Sequence, residues 1–251
     1  MSKARTPFCL GPGNIPKPSS AYSSPPNRSR SPPRNMPTSR PIPTPMRGAL
    51  LECFRATTRL VRPELRSQLT LVGGAASIAH SSVLYTEDVD VAGPAEVLTD
   101  IGQAVMDGAP NFSFESNGKI SFDAPQGFRI SIDIIQIGEG CIERIHSAEP
   151  LFEGSVASKL DLLRLGAVTV VDRGSDGECQ DFRWLLSEVA RAGQVLPGLD
   201  DEELEYVSKA GGCLGLLDRL VLGAILGAEN APAACRLFSS LIDIPINIPY
   251  P

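Results

Sequence analysis

Two aspartates two residues apart, Asp88 and Asp90 in Thr86-Glu87-Asp88-Val89-Asp90-Val91, are the residues whose type and spacing point most directly to chemistry. On a β-strand alternate side chains share a face, so both carboxylates project together while Val89 and Val91 point the other way. Carboxylates held that close repel one another unless a cation lies between them. Hard divalent ions suit such oxygens, and Mg²⁺ binds them together with substrate phosphates. Upstream, Leu71-Val72-Gly73-Gly74-Ala75-Ala76 places a glycine pair between an apolar run and a helix start. Backbone N–H groups there approach a phosphate without side-chain obstruction. A glycine pair alone is more often a turn; with Asp88 and Asp90 following, a phosphate cradle is the better reading. A third acid stands in Arg129-Ile130-Ser131-Ile132-Asp133-Ile134. The isoleucines share one face and Arg129, Ser131 and Asp133 the other. A surface-facing Asp133 is the plain alternative. Placed in the same cleft, it would serve as a further metal ligand or as the general base for an attacking hydroxyl. Phosphate cradle and metal-holding carboxylates are the parts a phosphoryl or nucleotidyl transfer site needs.

The elements that must position these residues follow from periodicity. Ala49–Val61 reads as a helix ended by Pro63, with Leu50, Leu51, Phe54 and Val61 on one face. Leu69–Val72 reads as a strand stopped by Gly73-Gly74, Ala75–His80 as a helix start, and Glu87–Ala92 as a second strand. Pro94–Met106 is a helix opened by its proline. Phe112–Glu115 and Lys119–Phe122 flank Asn117-Gly118, a hairpin signal, and Phe128–Ile137 is a β-branched strand. From Ser155 helices take over, at Val156–Leu165, Cys179–Ala192, Asp201–Ala210, Leu214–Leu226 and a short one near Pro232–Leu241. Strands first and helices afterwards predict an α+β core over 49–150 and a helical region over 151–251.

Residues 1–48 hold twelve prolines, eight serines, eight Lys/Arg and no acid. Such a segment buries too little apolar surface to offset its chain entropy, and a disordered tail is expected, with a protein partner through it as the functional alternative. The rest of the chain keeps fifteen Lys/Arg against all 29 Asp/Glu. A body that acidic does not suit a general nucleic-acid binder, but it suits a small anionic ligand whose charge a metal handles. No apolar run is long enough for a membrane helix, and the apolar stretch Leu214–Leu226 reads as a buried or half-buried helix. Six scattered cysteines without a secretory leader predict reduced, mostly buried thiols and a cytoplasmic or nuclear setting.

A glycine pair at a strand–helix junction, then Thr86-x-Asp88-x-Asp90, then a lone Asp133 in a later strand resembles the nucleotidyltransferase (DNA polymerase β-like) superfamily. The spacing is most similar to its minimal branch, which includes abortive-infection toxins. The resemblance implies a nucleotidyltransferase-fold mixed sheet with flanking helices followed by a helical part. It implies a Mg²⁺-dependent transferase moving a nucleoside monophosphate from a nucleoside triphosphate, ATP among them, to RNA, protein or a small molecule. Asp88, Asp90 and Asp133 would hold the metal and carry catalysis, with Gly73, Gly74, Thr86 and Lys159 binding the nucleotide. Arg173, Asp176 and Asp181 would orient the helical half. Three features depart from the pattern: Leu84 stands where the superfamily has an arginine, Ser175 where a lysine precedes the aspartate, and Asp181 lies farther on than the superfamily's spacing. The missing arginine makes a degenerate binding or regulatory module the alternative. A bare Asp-x-Asp also serves sugar-nucleotide glycosyltransferases, against which the glycine–helix unit argues. Lys159 shares its helix with Asp161 and Arg164, a pattern that also suits a solvated face.

Overall fold

The computed structural model describes residues 41–138 and 142–242, with 236 and 238–242 described by their backbone alone. The tail expected over 1–48, together with Cys9 and Cys141, therefore lies almost wholly outside the described residues. The first element among the described residues is α1 (Thr44–Leu60), which starts five residues earlier than the periodicity indicated, because Pro43 and Pro45 sit at its entry with φ already set. Its buried face carries Met46, Leu50, Cys53 and Phe54.

A seven-stranded mixed sheet follows, built from β1 (Thr70–Val72), β2 (Asp88–Gly93), β3 (Phe112–Phe114), β4 (Ile120–Asp123), β5 (Arg129–Gln136), β6 (Ala148–Leu151) and β7 (Gly154–Ala157). Their order across the sheet is β3-β4-β5-β2-β1-β7-β6. The β2–β5 and β1–β7 pairs are parallel and the other neighbours antiparallel. The short α2 (Gly73–Ala79) leaves β1, and α3 (Ala95–Met106) links β2 to β3. Helices α1 and α3 pack against β2 and β5, whose Val89, Val91, Ile130 and Ile132 are buried. Ile134, expected in that core, is half-buried. Along both strands the alternate residues Asp88, Asp90, Ser131 and Asp133 stay half-exposed on the other face.

The sheet runs on to Ala157, past residue 150 where the sequence marks the end of the α+β part. The Val156 and Ala157 expected in a helix belong to β7, held by parallel pairing to β1 and antiparallel pairing to β6. Such a short strand has no periodicity of its own to reveal it. Five helices then follow: α4 (Lys159–Arg173), α5 (Asp176–Arg191), α6 (Asp201–Ala210), α7 (Leu216–Leu226) and α8 (Ala231–Ile242). Gly174, at φ 60°, ends α4, and Ser175 immediately caps α5 in a reciprocal pairing with Glu178. The two helices thereby form a tight hairpin that buries Phe182, Leu185, Leu186 and Val189 of α5. Asp161 and Arg164 of α4 are buried rather than solvated. Helix α7, expected to be buried or half-buried, buries Leu222, Ile225 and Leu226 while exposing Leu216, Leu217 and Leu220, and of the described cysteines Cys53 alone is fully buried. No helix among the described residues is long and apolar enough to cross a membrane.

Candidate metal and nucleotide site

The parallel register of β2 and β5 sets Asp90 directly beside Asp133 and Asp88 beside Ser131. Because the alternation on both strands is in phase, all three carboxylates reach one face, where one oxygen from each lies within 4.8 Å of the others. The sequence-level trio is thus one cluster. Thr86 donates its hydroxyl to Asp88 Oδ1 at 2.7 Å, fixing that carboxylate's direction.

Electrostatically the cluster is strained. Burial, then the charges of Asp88 and Asp133, push the Asp90 carboxyl up to about 7, against the pull of Arg173 and Lys119. Lys119 Nζ lies 2.7 Å from Asp133 Oδ1 and 3.0 Å from its Oδ2. The antiparallel register that pairs Ile120 with Ile132 carries Lys119 to the level of Asp133. Sequence reasoning missed this lysine, although its place after Asn117-Gly118 fixes the register once the hairpin is assumed.

Gly73 begins α2 with φ 64°, and a Cβ there would collide with the Asp90 carboxylate. A Cβ on Gly74 would come within 3.0 Å of Thr86 Oγ1. The glycine pair therefore lets the backbone approach Asp90 and Thr86 closely, next to the acids rather than to a phosphate, the partner its sequence position suggested. With only seven residues, α2 contributes little dipole; the open backbone is what matters.

The acids open into a cavity of about 570 Å³ between the sheet, α2 and the α4–α5 hairpin, within the size range of small-molecule sites. Gly73, Gly74, Thr86, Asp88, Asp90, Asp133, Arg173 and Asp181 all line it. Leu84 lines it too, in place of the expected arginine. Lys159 stands apart: it opens α4 at the end opposite Arg173, roughly 21 Å away along the helix, and pairs with Glu188 at 2.7 Å. Arg173, three-quarters exposed beside Glu178, is the cavity cation on that helix. Asp176 opens α5 without lining the cavity. Asp181 accepts from Ser77 Oγ at 3.1 Å through Oδ2, while its buried Oδ1 has no hydrogen-bond partner. Burial, opposed by the Ser77 bond, pushes its carboxyl up to about 6.

The donor set fits a divalent cation. It consists of hard oxygens only, and Lys119 bonds Asp133 alone while Arg173 lies largely in solvent, so Asp88 and Asp90 form no ion pair among the described residues. Three acids and an open backbone at the mouth of a ligand-sized cavity can bind a metal together with phosphates.

At the level of sequence, no family profile and no curated protein matches the chain. In structure, it is similar to an antigenic nucleotidyltransferase-like protein from Paracoccidioides brasiliensis, with a TM-score of 0.50 and 16% identity over 70% of this chain and 93% of that one. JHP933 from Helicobacter pylori matches with a TM-score of 0.40 and 12% identity, over 76% and 93% of the respective chains. The first likeness establishes the fold: the α+β architecture is nucleotidyltransferase-like. Neither likeness selects a branch of the superfamily.

Proposed function

We propose that this chain is a Mg²⁺-dependent nucleotidyltransferase that moves a nucleoside monophosphate from a nucleoside triphosphate to an acceptor hydroxyl. The observation that carries the proposal is the convergence of Asp88, Asp90 and Asp133 at the mouth of the cavity, on a nucleotidyltransferase-like fold. Asp88 and Asp90 hold the ion, which when bound supplies Lewis-acid charge to the phosphoryl oxygens. Thr86 keeps Asp88 aimed, and Gly73-Gly74 leaves room for the triphosphate against the backbone. Arg173 takes over from Lys159 as the helical residue that meets phosphate charge, because it and not Lys159 lines the cavity. Asp133 accepts the acceptor's proton, positioned by Lys119. RNA, a protein side chain and a small molecule remain the acceptor classes, and cytoplasm or nucleus the setting.

Leu84 in the cavity wall favours a second reading, a degenerate module that binds nucleotide without turning it over. Calorimetry with Mg²⁺ and each nucleoside triphosphate, paired with a pyrophosphate-release assay, separates the two. The transferase reading expects Mg²⁺-dependent binding and pyrophosphate release. It also expects Asp88→Ala/Asp90→Ala to weaken binding by at least about a hundredfold. Binding without release supports the module. No metal-dependent binding by the unaltered chain sinks both.

A further inference from the structure

Lys119 reaches the acidic cluster from the turn between β3 and β4, and its backbone is pinned on both sides. Asn117 Oδ1 accepts its N–H at 2.9 Å, and its carbonyl accepts the Glu115 N–H at 2.8 Å. The antiparallel register that sets Ile120 opposite Ile132 and Ser121 opposite Ser131 brings Lys119 opposite Asp133. Ile120 and Phe122 are buried on one face of β4, so Lys119 stands on the other, which is the face of the acids. Opposite charges that face each other across a strand pair attract.

One ammonium therefore spans both oxygens of one carboxylate: Lys119 Nζ lies 2.7 Å from Asp133 Oδ1 and 3.0 Å from Oδ2. Its charge also acts on Asp88 and Asp90. Arg173 lines the cavity but pairs with Glu178 at 3.7 Å, which leaves the cluster to Lys119. Two divalent ions about 4 Å apart would need Asp133 as a ligand beside Asp88 and Asp90. Both Asp133 oxygens already meet a cation. When all are ionised, three carboxylates and one ammonium leave two negative charges, which a single divalent ion neutralises.

We propose that Lys119 is a built-in cation on Asp133, standing where a second metal ion would bind, so that the site takes one divalent ion, on Asp88 and Asp90. Lys119 is a positioning residue: it holds Asp133 and supplies there the charge that a second ion would bring. This inference rests on the nucleotidyltransferase reading and sets the number of ions its site takes.

The probe is Mn²⁺ alone, a paramagnetic ion that takes the same hard oxygen ligands as Mg²⁺. Electron paramagnetic resonance during a Mn²⁺ titration of the full chain counts bound ions and separates a lone ion from an exchange-coupled pair. The titration is run at pH 8, above the raised Asp90 value of about 7. The unaltered chain is expected to bind one ion with an uncoupled spectrum. Lys119→Met removes the charge from a half-exposed side chain and keeps its stem; it is expected to bind two ions as a coupled pair. Lys119→Arg keeps the charge and is expected to return the count to one. Both variants are checked for a native unfolding transition. Two ions on the unaltered chain, a single ion on Lys119→Met, or two on Lys119→Arg overturns the inference and leaves the metal site standing. No Mn²⁺ bound by the unaltered chain, or binding that Asp88→Asn/Asp90→Asn leaves unchanged, overturns the underlying function, and this inference with it.

Discussion

Two clusters of charge lie close to helix α4, and they are built on opposite plans. Beneath α4 and α6, Arg164 donates to Asp161 Oδ1 at 2.8 Å, to Glu203 Oε1 at 2.7 Å and to the Arg144 carbonyl at 2.7 Å. Asp161 also accepts the backbone N–H groups of His146 and Ser147, and Arg144 adds a second guanidinium on Glu203. Burial pushes the Glu203 carboxyl up, but the Asp200 N–H, Arg144 and Arg164 outweigh it and hold it low. Arg144 also reaches Asp200 at 2.8 Å, so each of the three acids there meets a guanidinium directly, while Arg164 Nε is left buried without a partner. At the cavity mouth three carboxylates converge with Lys119 on Asp133 alone and Arg173 largely in solvent. The buried cluster is a structural joint tying the segment before β6 to α4 and α6. The half-buried one at the cavity mouth leaves Asp88 and Asp90 without an ion pair among the described residues. Residue types alone do not separate them; whether each acid bonds a guanidinium directly does.

The largest effect that sharpens this contrast is on the joint. Arg164→Met leaves Asp161 and Glu203 buried without their central partner and should cost about 3–5 kcal/mol in chemical denaturation. A loss below about 1 kcal/mol would place the cluster among ordinary surface pairs. Next comes Gly73→Ala, which combines a positive φ with a collision against Asp90. A loss of about 1–3 kcal/mol is expected, together with weakened Mg²⁺ binding. Unchanged metal affinity would show that the close approach is not needed.

The smallest effect has the opposite sign. Asp90 in the folded chain keeps its proton to about 7, against 3.8 ordinarily. Between those values the folded state holds a proton that the unfolded state has released, so raising the pH through that window destabilises the metal-free protein. Asp181, raised to about 6, acts in the same direction. Asp90→Asn removes one of these penalties. At pH 8 it should be more stable than the unaltered chain by about 1–2 kcal/mol, with the difference vanishing near pH 4. A destabilised Asp90→Asn at pH 8 would contradict the electrostatic account.

Much of this architecture is legible in the residues. The alternation puts Asp88 and Asp90 on one face of β2 and Asp133 on the polar face of β5, but that these faces coincide depends on the pairing of β2 with β5, which no pattern announces. The buried joint is not legible: Lys159, Asp161 and Arg164 together suit a solvated helix face, because the partners Arg144 and Glu203 come from distant segments. The strand β7 is hidden because its stability comes from pairing with β1 and β6 rather than from its own pattern. Lys159 matches a motif by position, yet the ordering of α4 sends it to Glu188 and brings Arg173 to the cavity instead. The unpartnered oxygen of Asp181 has no sequence signal at all, since it depends on where α5 meets α2.

The central claim, that the Asp88/Asp90/Asp133 cluster is completed by a divalent cation, is tested most directly by thermal unfolding at pH 8 during a Mg²⁺ titration. The account predicts a melting temperature that rises with Mg²⁺, and no rise in Asp88→Asn/Asp90→Asn, whose metal-free melting temperature is at least that of the unaltered chain. A melting temperature of the unaltered chain that does not respond to Mg²⁺, or an equal response in the double variant, would contradict it.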